Sequence, residues 1–186
     1  SDTEAVSHLA RNAREAGADA LLISAPPYTK PTQRGIVAHY RAVMKEGALP
    51  TIVYNVPSRT SCNILPETIV EIAEDERVVG VKEASGDISQ AAELCRLMAH
   101  RVAIYSGNDD QVIPLLALGG RGVISVIANI APRDTSRMVH LFLDGRIDEA
   151  RELQFRYLPL AKALFCEPNP VPVKAAVRAL GFDVGD

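Results

Sequence analysis

Cysteine is scarce in this chain. Its 186 residues hold three, Cys62, Cys95 and Cys166, an odd and scattered set that suits neither a disulfide framework nor a metal knuckle. Reduced thiols in a cytoplasmic protein are the expected state. The four histidines, His8, His39, His100 and His140, have no ligand spacing, so no metal site is expected. Long apolar runs are also missing. Leu21–Ala25 stops at Pro26-Pro27, and Val112–Leu118 contains Pro114 and ends at Gly119-Gly120. Nothing approaches the ~20 apolar residues of a membrane span. No basic leader with an apolar core opens the sequence, and no signal peptide is expected. Basic charge is not in excess: Lys+Arg is 20, Asp+Glu is 23, and the formal net charge is −3. A mildly acidic chain has no electrostatic footprint for nucleic acid or an anionic membrane. No G-x-G-x-x-G follows a strand, no G-x-S-x-G elbow occurs, and no paired acid and base carboxylates stand out.

What is present is a soluble globular composition, 47% hydrophobic and 23% charged. Helical and strand patterns alternate. Asp2-Thr3-Glu4 opens a helix that runs to Gly17, and Ala20–Ser24 reads as a strand. Helix 33–45, strand 51–54, helix 66–74, strand 78–81, helix 88–99, strand 102–105, helix 109–118 and strand 122–127 follow. Three helices, 132–143, 147–165 and 170–180, close the chain. The five strands are apolar on both faces, and each connection between them holds a helix, which is the pattern of a parallel sheet. Five strands are too few to close a (β/α) barrel, so the pattern leaves an open sheet or part of a barrel.

In parallel α/β folds the reactive groups gather at the carboxyl ends of the strands. Lys82 follows Val78-Val79-Gly80-Val81 directly. Alternation puts Lys82 on the face of Gly80 and Val78, with Glu83 on the other face. A lysine carried inward loses hydration, its pKa falls, and the free amine can attack a carbonyl to form an imine. The plainer reading is a lysine that reaches solvent or pairs with Glu83. Tyr54 ends another strand, and its phenol could shuttle the protons that imine chemistry requires, or it could be a core-edge tyrosine. Arg59, just past Pro57, could clamp a carboxylate or be a solvated loop residue. Gly119-Gly120-Arg121-Gly122 precedes a strand and reads as a tight turn, not an anion loop. Asp109-Asp110 reads as the cap of the helix that follows.

These segments resemble one family. Tyr54-Asn55-Val56-Pro57-Ser58-Arg59-Thr60 resembles the Y-N-x-P-x-R-T signature of the dihydrodipicolinate synthase family, and Val79–Gly86 resembles its imine-lysine strand. Ser106–Asp109 and Leu118–Val126 resemble its seventh and eighth strand segments, and Glu167–Lys174 resembles a run in its C-terminal helices. The resemblance implies an α/β fold, a (β/α)8 TIM barrel, of which this chain would carry strands four to eight in residues 1–131 and C-terminal helices in 132–186. It implies that Lys82 binds pyruvate as an imine, that Tyr54 relays protons, and that Arg59 holds the carboxylate of aspartate semialdehyde. Tyr28 would enter a neighbouring subunit's proton relay, and Gly107 and Ile124 would line the pyruvate pocket. The implied enzyme is a lyase of lysine biosynthesis that needs no metal or dissociable cofactor, assembled as a dimer or dimer of dimers.

Two other readings stay open at this level. One keeps the imine and changes the aldehyde, as in N-acetylneuraminate lyase or 2-keto-3-deoxy sugar acid aldolases. The other is a non-catalytic fragment. Arg59 argues against the first, since sugar-acid lyases tend to lack an arginine there. The joint presence of Lys82, Tyr54 and Arg59 argues against the second.

Overall fold

Helix starts in this chain are written by short polar side chains. The computed structural model describes residues 2–185. Asp2 accepts hydrogen bonds from the backbone N–H groups of Glu4 and Ala5 and opens α1 (Thr3–Glu15). Thr32 does the same through the Gly35 N–H for α2 (Gln33–Gly47), and Asp87 through Ser89 and Gln90 for α5 (Ile88–Met98). Proline at the first turn starts α3 (Pro57–Thr60), α4 (Pro66–Ile72) and α7 (Pro132–Leu143), where its missing N–H costs nothing. The remaining helices are α6 (Val112–Ala117), α8 (Ile147–Ala163) and α9 (Val171–Ala179).

The strands β1 (Leu21–Ser24), β2 (Thr51–Asn55), β3 (Val78–Glu83), β4 (Ala103–Ser106) and β5 (Gly122–Val123) form one parallel sheet in chain order. One face of the sheet is covered by helices. Ile23, Val53, Val81 and Ile104 are buried there in one core with Ile36, Tyr40, Met44, Ile69, Leu94 and Met98. Full burial of such a side chain is worth roughly 1.5–3 kcal/mol. A one-residue slip in pairing would turn a whole row of them outward, so this face holds the register. On the opposite face Leu22 is 49% exposed, while Ile52, Tyr54, Lys82 and Tyr105 are half-buried.

Three local expectations need correction. The pairing of β3 with β2 slips, from Thr51 opposite Val78 to Ile52 opposite Gly80. The extra residue puts Val78 into the same core as Val81, so Val78 does not share the face of Lys82. The strand expected over 122–127 ends at Val123, and residues 127–129 form a 3-10 turn. Here the Asp109 carboxylate takes the N–H groups of Val126 and Ile127, and Ser125 Oγ takes that of Ala128, in place of a ladder. Asp109 therefore does not cap its own helix, which is a 3-10 turn over 109–111 leading into α6. The Gly119-Gly120 turn is as expected. Gly119 has φ +101°, and the N–H groups of Gly119 and Gly120 bond back to the carbonyls of Leu116 and Leu115.

Candidate active site

The parallel register sets Tyr54 of β2 directly opposite Lys82 of β3. Both side chains lie on the face away from the helices, and Lys82 Nζ stands over the Tyr54 ring, 4.3 Å from its centroid. The ring and the sheet desolvate the amine. That desolvation lowers the Lys82 pKa below its usual value; the negative charge of Asp109 pulls it back up, and the positive charge of Arg59 pushes it further down. Burial raises the Tyr54 phenol, and Arg59 partly offsets this. The pair is thus an amine that sheds its proton more readily than usual beside a phenol that keeps its own.

Gly107 is the floor under this lysine. Its N–H bonds to the Glu83 carbonyl at 2.7 Å, drawing the end of β4 against β3. A Cβ on residue 107 would lie 2.6 Å from Ala84 Cβ and 3.1 Å from Lys82 Cε, so only glycine leaves the lysine stem its room. Ile124 follows β5, and its N–H bonds to the Ser106 carbonyl at 2.8 Å, extending the sheet pairing by one residue next to Gly107.

Arg59 rides on α3, a single helical turn that the sequence pattern missed. The exposed Arg59 donates from Nη2 to the Asn169 carbonyl at 3.3 Å, tying the strand ends to the segment before α9. A cavity of about 440 Å³ opens beside it, lined by Ser58, Arg59, Phe165, Cys166, Glu167, Pro168 and Asn169. A second, of about 550 Å³, shares Phe165 and reaches Gly86, Asn108, Asp109 and Lys162. Tyr28 stands apart from this group. It is 89% exposed, has φ 71°, and donates its backbone N–H to the Thr60 carbonyl.

The reverse side of the same strand ends carries residues that the sequence did not single out. Glu83 is 4% exposed and Asn55 is fully buried. Asn55 Nδ2 donates to both Glu83 carboxylate oxygens, at 3.4 and 3.1 Å, and the Ser85 N–H donates to Oε1 at 2.6 Å. Glu83 faces away from Lys82, so the expected alternative of a Lys82–Glu83 pair does not hold. Gln154 of α8 is a further one: its Nε2 donates to the Asp109 carbonyl, and its Oε1 accepts from the Ile113 N–H. Among the described residues no group of three or more His, Cys, Asp or Glu is placed to hold a metal ion.

Comparison with known proteins identifies the family and the fold. The dihydrodipicolinate synthetase family matches over residues 1–186. The 4-hydroxy-tetrahydrodipicolinate synthase of Thermoanaerobacter sp. (strain X514) is 55% identical over 174 residues, 93% of this chain and 59% of that protein. That of Clostridium tetani is 48% identical over 186 residues, 100% of this chain and 63% of that protein. The chain therefore spans about three-fifths of the length of these curated relatives. Among solved structures, the chloride-inhibited dihydrodipicolinate synthase from Acinetobacter baumannii, complexed with pyruvate, superposes with a TM-score of 0.94 at 39% identity. It is covered over 64% of its length by 100% of this chain. The enzyme from Thermotoga maritima gives a TM-score of 0.94 at 42% identity, over 97% of this chain and 62% of that one. The parallel sheet is thus part of a TIM barrel, and the chain belongs to the dihydrodipicolinate synthetase family.

Proposed function

We propose that this protein condenses pyruvate, held as an imine on Lys82, with aspartate semialdehyde to give 4-hydroxy-tetrahydrodipicolinate for lysine biosynthesis. The observation that carries the proposal is the desolvated Lys82 amine packed 4.3 Å over Tyr54 at the end of β3, in a chain of this family. The neutral amine adds to the pyruvate ketone carbon, and the carbinolamine loses water to leave an iminium. Loss of a methyl proton then gives the enamine. The enamine carbon adds to the aldehyde carbon, and Lys82 is released as the free amine when the amino group of the bound semialdehyde adds to the iminium carbon, closes the ring and expels the lysine nitrogen. Tyr54 is the proton relay for the dehydration and enamine steps. The electron sink is the iminium itself, so no dissociable cofactor enters this scheme.

Arg59, whose guanidinium lies near enough to depress both pKa values, holds the carboxylate of the semialdehyde. Gly107 and Ile124 line the pyruvate pocket. Tyr28 serves a neighbouring copy of the chain across a dimer or dimer of dimers. A tyrosine at positive φ costs on the order of 1–3 kcal/mol and faces solvent here, which fits a role outside its own site. Residues 1–131 carry the site and 132–186 form the helical region beside it. The place of action is the cytoplasm; no helix of the described residues is long and apolar enough to cross a membrane.

Borohydride reduction with pyruvate tests the imine. It should add one pyruvate-derived mass to the Lys82 peptide of the protein as its gene encodes it. The same yield of adduct in Lys82→Ala would overturn the assignment. Arg59→Ala tests the second substrate. Loss of a charge-assisted bidentate pair costs about 1.5–3 kcal/mol, so KM for aspartate semialdehyde should rise roughly 10- to 150-fold while that for pyruvate moves little.

A further inference from the structure

Buried Glu83 and Asn55 lie on the back of the two strands whose fronts carry Lys82 and Tyr54. In the β2–β3 register, Asn55 is opposite Glu83 just as Tyr54 is opposite Lys82, one residue earlier. The slip between Thr51 and Ile52 shows that this strand pair tolerates a second register within its own length. Something specific must therefore hold the alignment at the catalytic end. The apolar face, with Val53 paired to Val81, excludes a one-residue slip of the whole strand but stops short of the last pair, where Asn55 meets Glu83.

We propose that Glu83 is a positioning residue for the reaction: its carboxylate, gripped by Asn55, holds β2 and β3 in the register that sets Tyr54 across from Lys82. The polar wiring is complete enough for this task. Glu83 accepts from Asn55 Nδ2, from the Ser85 N–H and from Gln90 Nε2. Asn55 Oδ1 accepts from the Ile64 N–H at 3.0 Å, and Asn63 links Asn55 to Gln90 at 2.9 and 2.6 Å. Each amide thus has its donor and acceptor assigned, and the direction Asn55 donor to Glu83 acceptor is the only one chemically open. A buried network satisfied in this way specifies one arrangement, whereas a half-satisfied one is costly. The Ser85 contact also fixes the turn after Lys82, and the Gly107 N–H closes on the Glu83 carbonyl, so the same residue anchors the lysine's strand end from side chain and backbone. Glu83 does not touch substrate; it acts through the spacing of Lys82 and Tyr54.

This inference rests on the proposal that Lys82 forms the imine, and the experiment separates the two. In the protein as its gene encodes it, the rate of borohydride-trapped pyruvate adduct at Lys82 is measured with steady-state kcat and KM. No adduct in the parent protein would remove the imine reading itself. Given an adduct, Glu83→Gln sets an NH2 group against the Asn55 NH2 group and should lower kcat and the trapping rate tenfold or more, with pyruvate KM within about twofold. The double variant Asn55→Asp with Glu83→Gln reverses donor and acceptor across the same contact, the Asn63 and Gln90 amides turning over to match, and should recover most of that loss, a rescue that a general loss of stability would not give. A folded Glu83→Gln protein with the parent rate, or a folded double variant with no recovery, overturns the proposal. If neither variant folds, Gln90→Met at a half-buried helix position becomes the probe. It should lower kcat about threefold at constant pyruvate KM, and an unchanged kcat would count against Glu83.

Discussion

Lys82 Nζ rests on the face of the Tyr54 ring, 4.3 Å from its centroid, although 27 residues separate them in the chain. One contact joins three effects. The ring removes water from the amine and so weakens its hold on a proton. Its quadrupole still attracts the ammonium by roughly 0.5–2 kcal/mol, which orders the flexible lysine stem before substrate arrives. It also sets the phenol-bearing side chain at the same strand end as the amine.

Tyr54→Phe keeps the ring and deletes the phenol. The lysine should stay in place and the fold should hold, with little change in the thermal midpoint. Because a positioned acid or base contributes about 10²–10⁴-fold, turnover should fall within that range. A rate within tenfold of the parent would remove Tyr54 from the relay.

The charges around Lys82 predict two opposite pH shifts. Arg59 depresses its pKa and Asp109 raises it, both against the larger effect of desolvation. Arg59→Met should move the pH midpoint of imine formation upward. Asp109→Asn should move it downward, while its amide oxygen still accepts from Val126 and Ile127. The stability linkage has a definite sign. Folding lowers the pKa of Lys82, so between its folded and unfolded values the unfolded chain binds more protons and stability rises with pH. Trapping rates from pH 6 to 10 at saturating pyruvate read both shifts, and shifts of the same sign in the two variants would contradict the arrangement.

Gly107→Ala should damage the site through space alone. The new methyl meets Ala84 Cβ at 2.6 Å and Lys82 Cε at 3.1 Å. Overpacking of this kind costs about 1–3 kcal/mol, and the lysine stem is the softer of the two neighbours. The expected result is a modest fall in thermal midpoint with at least a tenfold loss of imine formation. A variant that traps pyruvate at the parent rate would show that the stem has room to move.

The 186 residues by themselves are expected to be inactive in the condensation. Among the described residues β1 and β5 are sheet edges with unpaired backbone groups, and Leu22 on the open face is 49% exposed. Expression of 1–186 beside the full gene product, compared by gel filtration, thermal melting and coupled turnover, tests this. A monomeric, cooperatively melting segment with turnover near that of the gene product would be the contrary result.

Much of this molecule is legible in the chain. The apolar runs around Ile23, Val53, Val81 and Ile104 announce strands, and the polar caps Asp2, Thr32 and Asp87 announce helices. Lys82 and Tyr54 are readable as strand-end residues, and the Y-N-x-P-x-R-T segment marks the family whose resemblance points to Gly107. The α3 turn was not legible, because four residues after a strand are too short for a helical period to register. Asp109 read as a cap, since Asp before an apolar run usually is one; its true partners, Val126 and Ile127, lie 17 and 18 residues away. Glu83 and Asn55 read as the unused neighbours of better residues.

The sequence by itself determined the kind and order of the longer elements and that Tyr54 and Lys82 stand at strand ends. Those follow from local periodicity, capping chemistry and the alternation of a strand. Only the tertiary structure decided which strand ends face each other. It set Lys82 over Tyr54, Glu83 against Asn55, and Val78 into the core through a slip in pairing. The physical reason is that cross-strand register, and the desolvation it brings, depends on packing between segments about 28 residues apart, and no local pattern carries that information.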